Sequence, residues 1–218
     1  MLIHDAAVPP FMKNGFVLAC ERTRSAVYID PGDEVDQLLD VMDEERFDLE
    51  RILLTHAHVD HVSGVARAKR YKNVPIHLHR EDLFLYDNAV KHGELFGMQV
   101  EQPPAVDLFY DGSPITFGDY TVTVHHTPGH CPGGVCLAVG RTPAAEVPDL
   151  FVGDTLFAGS IGRTDLPGGN YERLMRSITK VLFAFSDDAV VYSGHGKETT
   201  IGRERRTNPF VLEWMGQR

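Results

Sequence analysis

The stretch "LLTHAHVDHVSG", Leu53 to Gly64, places His56, His58, Asp60 and His61 close together directly after an apolar run. Imidazoles so crowded would repel one another if charged, and each would be costly if buried without a partner. A metal ion removes both difficulties. His56 and His58 stand i, i+2 at the extended end of an expected strand, so their side chains point the same way. Asp60 continues the period, and His61, at the start of the next helix, can turn toward a second ion. On the plainer reading Asp60 is a helix N-cap and the histidines are surface loop residues. One histidine would fit that reading, but this density of ligand types favours a metal.

Three later places have the same form, a polar residue where a β-run meets a glycine-rich turn. "HHTPGHCPGG" offers His125, His126 and His130, "FVGDTLFAG" offers Asp154, and "VVYSGHGKETT" offers His195. Strand ends on one side of a sheet are where sites are built. Imidazole and carboxylate suit zinc, iron, manganese, nickel or cobalt, and no cysteine is needed as a ligand. About seven candidates exceed what one tetrahedral ion can use. Two ions bridged by a carboxylate would use them all, lower the pKa of bound water toward ~7 and polarise the bond under attack.

These residues need strands to carry them, and short β-rich runs recur: "GFVLAC" (15–20), "AVYID" (26–30), "RILLT" (51–55), "PIHLH" (75–79), "YTVTVHH" (120–126), "GGVCLAV" (133–139), "DLFVGD" (149–154) and "AVVYSGH" (189–195). Helical patterns fall at 34–45, 62–72 and 171–185, and a Leu, Phe and Tyr-rich segment lies around 81–97. In the first, Val35, Leu38, Leu39 and Met42 form one apolar face. A layered sheet-and-helix architecture follows. No Pro, Gly or Ser-rich linker divides the chain. Residues 97–112 are the most loop-like and would separate two halves of one domain.

Composition excludes several classes. At 218 residues with 43% hydrophobic, the chain can bury a substantial core. The net charge of −10 repels nucleic acid, and "GRERR" (202–206) is too short to form a basic groove. Cys20, Cys131 and Cys136 make no disulfide framework. No run approaches the ~18 apolar residues of a membrane span, and the N-terminus has no signal-peptide pattern. A cytoplasmic protein with no membrane partner is expected.

"THAHVDH", "HTPGH", "GDTLF" and "SGHG", in this order, resemble the metallo-β-lactamase superfamily, whose signature is HxHxDH followed by isolated His, Asp and His. "GRTDLPGGN" (162–170) and "TTIGRERRTNPF" (199–210) resemble its small glyoxalase II-like, or hydroxyacylglutathione hydrolase-like, members. The resemblance runs nearly end to end. It implies an α+β fold, a four-layer αββα sandwich with the metal site at the edge between the two sheets, and a single domain over 1–218. It also implies two divalent ions, zinc foremost, with iron or manganese also suited. By position, His56, His58 and His130 would hold the first, Asp60, His61 and His195 the second, and Asp154 would bridge them. The implied reaction is hydrolysis of a small-molecule thioester, of which S-D-lactoylglutathione is the type, by metal-bound hydroxide that Asp60 helps to orient.

Two departures stand out. Full-length glyoxalase II carries a C-terminal helical domain that grips glutathione, whereas this chain ends 23 residues past His195. A binding surface would come from the 81–97 segment, with Leu83, Phe84, Leu85, Tyr86 and Phe96, or from Arg163. Core packing and an ion pair are the respective plainer readings. Cys131 stands beside His130 where relatives commonly carry Thr or Ser, and it is expected to be a small buried residue. One histidine of the His125–His126 doublet would support the site or be structural. The main competing reading is a mononuclear Fe(II) persulfide dioxygenase, similar in sequence, in which His56, His130 and Asp154 would hold the iron. A non-catalytic binding module fits poorly with a complete ligand set.

Overall fold

The computed structural model describes residues 1–142 and 147–216. Its contacts divide into two compact units, Met1–Asp111 with Ile115–Tyr120, and Gly112–Pro114 with Thr121–Arg218. The break falls at the far end of the loop-like stretch expected at 97–112.

The first unit is built on a mixed sheet of strands β1 (Leu2–Val8), β2 (Lys13–Ala19), β3 (Ser25–Ile29), β4 (Asp48–Leu53), β5 (Ile76–Leu78) and β6 (Leu108–Phe109), hydrogen-bonded in that order. The first three pair antiparallel; from β3 to β6 the pairing is parallel. Parallel neighbours need crossovers. Helix α1 (Val35–Glu45) supplies the first, α2 (Val59–Val62) and α3 (Val65–Tyr71) the second, and α4 (Leu83–Asp87) with α5 (Ala89–Leu95) the third. The i, i+3, i+4, i+7 face of α1 is buried as expected and packs on β1 and β2. Each such side chain contributes about 1.5–3 kcal/mol when fully buried. A short strand, β7 (Ile115–Phe117), lies by β3.

The second unit places β8 (Tyr120–His126), β9 (Val135–Arg141), β10 (Asp149–Gly153), β13 (Val190–Ser193) and β14 (Thr199–Thr200) in the order β14-β13-β10-β9-β8. β10 and β13 are parallel, while β9–β10 and β13–β14 are antiparallel. A separate hairpin pairs β11 (Leu156–Phe157) with β12 (Ser160–Ile161). Helices α6 (Tyr171–Arg176), α7 (Ile201–Thr207) and α8 (Pro209–Gly216) bury Leu174, Ile201 and Val211 in one cluster with Leu150, Val152 and Val191. The buried Glu204 accepts hydrogen bonds from Thr199 Oγ1 (2.6 Å), Gly159 N (2.8 Å) and Asn208 Nδ2 (2.9 Å), tying α7 to the β11–β12 turn.

Several elements differ from expectation for identifiable reasons. Of the helix expected at 62–72, α3 covers Val65–Tyr71 and α2 ends at Val62; a Cβ on Gly64 between them would meet the Gly32 carbonyl, so glycine is needed for that close approach. Gly64 N also donates to Pro31 O (3.0 Å), so α2 ends before it and α3 starts after it. The expected 171–185 helix is regular only to Arg176, then loosens into a π-turn (Ser177–Val181) and a 3-10 turn (Leu182–Ala184). Ser177 Oγ donates to Pro128 O and Thr179 Oγ1 to Met175 O, the side-chain competition that bends helices. β1, β6, β7, α7 and α8 carry weaker patterns and lie outside the elements expected. No helix among the described residues is long and apolar enough to cross a membrane.

One buried ring gives the first unit a pH dependence. His77 on β5 stacks on Tyr110 with ring centroids 5.9 Å apart, and burial, aided by the positive charge of Arg51, holds its pKa down at about 4. The unfolded chain titrates this group near ~6.5. Between those values the unfolded state binds the extra proton, so the contribution is whole above ~6.5 and is lost as pH falls toward 4. Between pH 7 and 5, urea denaturation is expected to show the native chain losing about 2 kcal/mol more than His77→Gln; equal losses would refute the assignment.

Candidate metal centre

The expected ligands divide between the units, four in the first and three in the second. In the first unit, β4 stops at Leu53, and the chain runs irregularly to His58, which is the N-cap of α2. Asp60 and His61 therefore ride in the first helical turn, and Asp60 is not the cap. A Cβ on Gly32 would collide with the Asp60 carbonyl, so only glycine lets the β3–α1 turn approach this helix so closely. The His56 ring lies 4.0 Å from the His61 ring and 4.9 Å from the His58 ring, centroid to centroid. His61 Nε2 is 3.8 Å from Asp60 Oδ2.

The proton positions follow from the partners. Thr55 Oγ1 has one hydrogen and donates it to Asp30 Oδ2 (2.5 Å), so its contact with His56 Nδ1 (3.1 Å) must be a bond donated by the ring. His61 Nδ1 lies 2.9 Å from the same Asp30 oxygen and donates to it. Both rings thus carry their proton on Nδ1 and keep the lone pair on Nε2, the form in which imidazole binds metals. Asp30 is also within ligand distance of His56 and His61. Its oxygens are engaged by Thr55 N (2.7 Å), Thr55 Oγ1 and His61 Nδ1, however, so it braces the His61 ring directly and the His56 ring through Thr55. Behind it, Lys13 Nζ donates to the Asp30 carbonyl and to Glu34 Oε1 (2.9 Å), and Glu34 Oε1 also accepts from Tyr28 (3.1 Å) and Gly32 N (2.9 Å). The Asp82 carboxylate accepts from Ala57 N (3.2 Å), fixing the backbone between His56 and His58.

In the second unit, His130 follows Gly129, which sits at φ 142° with its α-carbon against the Leu174 backbone, where a side chain would collide. His130 Nδ1 donates to the Arg163 carbonyl (2.7 Å), an atom that only accepts, so this ring too carries a proton on Nδ1. Asp154 Oδ2 lies 3.6 Å from His130 Nε2 and 3.6 Å from His195 Nε2. That is long for a hydrogen bond. It is close to the roughly 3.4 Å that separates two ligand atoms on one tetrahedral ion. The donor set in both units therefore fits a divalent metal.

The other residues singled out in the sequence have partners of their own. The Arg163 guanidinium forms a two-pronged ion pair with Asp165 (2.7 Å for each prong), and it is the Arg163 carbonyl that braces His130. That pair holds the Asp165 pKa down at about 2. Cys131 is fully buried. His125, its pKa lowered by burial, packs edge-on against Phe185 at 5.1 Å. His126 Nε2 donates to Pro132 O (2.8 Å) and so braces the loop that bears His130. Of the 81–97 segment, Leu85 and Tyr86 are core, whereas Phe84 and Phe96 are exposed. Sequence reasoning missed Asp30, Thr55 and Asp82. "AVYIDPG" has the strand-end pattern that flagged Asp154 and could have found Asp30, but Thr55 and Asp82 have no comparable signal.

The family profile described as the metallo-beta-lactamase superfamily matches residues 8–195. Hydroxyacylglutathione hydrolase GloC of Haemophilus influenzae is 36% identical over 219 residues, spanning 97% of this chain and 98% of that one. Among crystal structures, BLEG-1 B3 metallo-beta-lactamase superposes with a TM-score of 0.85 at 35% identity, covering 96% of this chain and 99% of that one. TTHA1623 in a di-iron-bound form gives 0.83 at 36% identity, covering 95% and 99%.

Asp30→Asn keeps the shape of the brace and removes its charge. Affinity for zinc, measured by chelator competition, is expected to fall about 10- to 100-fold, with the circular dichroism of the native fold retained. An unchanged affinity would reduce Asp30 to a purely structural residue.

Proposed function

The chain belongs to the metallo-β-lactamase superfamily, with its α+β fold of two mixed sheets and helices, and from that premise we propose a binuclear metal-dependent thioester hydrolase. As a member it is a metallo-hydrolase; the proposal adds the number of ions, the ligand sets and the substrate class. In this reading His56, His58 and His130 would hold the first ion, Asp60, His61 and His195 the second, and Asp154 would serve both.

The observation that carries the reading is Asp154 Oδ2, equally distant from the Nε2 atoms of His130 and His195, histidines assigned to different ions. Support for a thioester comes from the nearly full-length likeness to a hydroxyacylglutathione hydrolase. The likeness to a protein crystallised in a di-iron-bound form supports two ions, and leaves iron beside zinc as a candidate. A one-iron oxygenase on His56, His130 and Asp154 would give Asp60, His61 and His195 nothing to do.

A divalent pair bound there supplies a nucleophile from water at neutral pH and polarises the acyl oxygen. The protein's own part is positional. Asp30, Thr55 and the Arg163 carbonyl hold the Nδ1 protons of the ligand rings, keeping each Nε2 aimed. Asp60, an acceptor when ionised, orients the attacking water. The departing thiol has a pKa near ~8.5 and leaves as its anion, so the chain need not supply a strong general acid. A small thioester, linked to glutathione or a similar thiol, is the substrate class.

Purified protein is expected to carry two equivalents of metal per chain by elemental analysis and to hydrolyse S-D-lactoylglutathione. Asp154→Ala is expected to lower kcat/KM at least about 10³-fold while the chain stays folded, the scale on which losing a charge-stabilising group costs an enzyme its rate. One iron per chain with O₂ uptake on glutathione persulfide and no hydrolysis would overturn the reading, as would turnover of a cephalosporin in place of the thioester.

A further inference from the structure

The turn Asp30–Pro31–Gly32, between β3 and α1, has every backbone polar group engaged. Asp30 N donates to Leu53 O (3.1 Å), Pro31 O accepts from Gly64 N (3.0 Å), and Gly32 O accepts from Val35 N (3.2 Å). The remaining two groups are taken by charged side chains. Lys13 Nζ donates to the Asp30 carbonyl, and Gly32 N donates to Glu34 Oε1 (2.9 Å). Asp30 itself sits at φ 51°. That left-handed conformation is uncommon outside glycine and persists where the surroundings over-determine it.

Lys13 and Glu34 are a costly way to hold a turn. Their side chains are 3% and 1% exposed, and they pair with each other at 2.9 Å. A buried ion pair generally adds little stability over an apolar pair of similar volume. An apolar pair, however, could neither donate to the Asp30 carbonyl nor accept from Gly32 N. The surroundings are shaped for the charged pair: a Cβ on Gly15 would fall on Glu34 Oε1, and one on Gly32 would meet both Lys13 Cε and the Asp60 carbonyl. The backbone of Asp30 is thus gripped by the pair, while its carboxylate meets Thr55 and His61.

We propose that Lys13 and Glu34 are positioning residues of the metal centre. By fixing the left-handed Asp30–Gly32 turn they aim the Asp30 carboxylate at Thr55 and at His61 Nδ1, and so raise the affinity of the ligand rings for a divalent ion. The inference rests on His56 and His61 being metal ligands and is independent of the substrate. Neither Lys13 nor Glu34 touches a ligand ring in any bond described above; the pair acts through Asp30. Its signature is therefore coupling, because changes within one network fail to add, whereas independent structural contributions do add.

The test measures the zinc affinity of the full chain by chelator competition. Lys13→Met combined with Glu34→Gln removes both charges at once, so neither is left buried alone, and the Gln oxygen still accepts from Gly32 N. This double variant is expected to keep the circular dichroism of the native fold and to bind zinc about 10-fold more weakly. In an Asp30→Asn background the same two changes are expected to alter the affinity by less than about twofold. Phe47→Leu, a buried change in the same unit, is expected to lower stability and leave the affinity as it is. If the double variant does not fold, Glu34→Gln alone repeats the cycle, with a loss of at least about threefold expected. Unchanged affinity, or a loss of equal size with and without Asp30→Asn, would overturn the positioning role and leave the metal centre standing. No zinc bound by the unaltered chain would overturn the metal centre and the proposal with it.

Discussion

An imidazole lends a lone pair to a metal only when its other nitrogen keeps the proton and has an acceptor for it. Much of the structure around these histidines serves that requirement. Three rings meet it in three ways: His56 through the Thr55 hydroxyl, His61 through the Asp30 carboxylate, and His130 through the Arg163 carbonyl. The first two routes end on one oxygen, Asp30 Oδ2, because Thr55 passes its own proton to it. A single carboxylate thus sets the tautomer of two rings whose centroids are 4.0 Å apart. The carbonyl route has a different character, since its acceptor is a backbone oxygen and not a side chain.

Burying Asp30 creates an obligation of its own. A carboxylate out of water is tolerated only with its acceptor capacity filled and its charge compensated. Its oxygens are filled by Thr55 and His61, while Lys13 donates to the Asp30 backbone carbonyl and pairs with the buried Glu34. Glu34 is satisfied in turn by Tyr28 and by Gly32 N, and its negative charge, after burial itself, pushes the Tyr28 hydroxyl well above its ordinary pKa. Removing one member of a buried ion pair typically costs 3–5 kcal/mol, because the other is left uncompensated. The network is therefore a price of placing ligands inside the fold, and it explains why the β3–α1 turn must come near enough to α2 that only Gly32 fits.

The ligand-type residues were legible because ligand chemistry narrows residue type and because they repeat one local pattern, a polar residue where an apolar strand runs into a turn. Strands β2–β5, β8–β10 and β13 were legible for the same reason, their apolar runs being bounded by Gly, Pro or Asp. Less visible were features set by tertiary contact. The split between α2 and α3 depends on Gly64 meeting Gly32, far off in sequence, and the loosening after α6 depends on where Ser177 and Thr179 find acceptors. The braces were harder still. Thr55 and Asp82 are ordinary residues until the fold shows what their oxygens accept, and Arg163 contributes through its carbonyl, which no side-chain identity could reveal.

The braces and the exposed apolar residues obey different physics. A ligand ring held by directional hydrogen bonds to buried groups tolerates almost no displacement, since each bond weakens steeply with angle and each orphaned partner is costly to bury. Contacts made by Met12, Phe84, Leu95 and Phe96 are non-directional and scale with area, so one can be exchanged for a larger or smaller group with a graded effect. Substitution of these exposed side chains can therefore proceed without disturbing the proton positions of the buried rings.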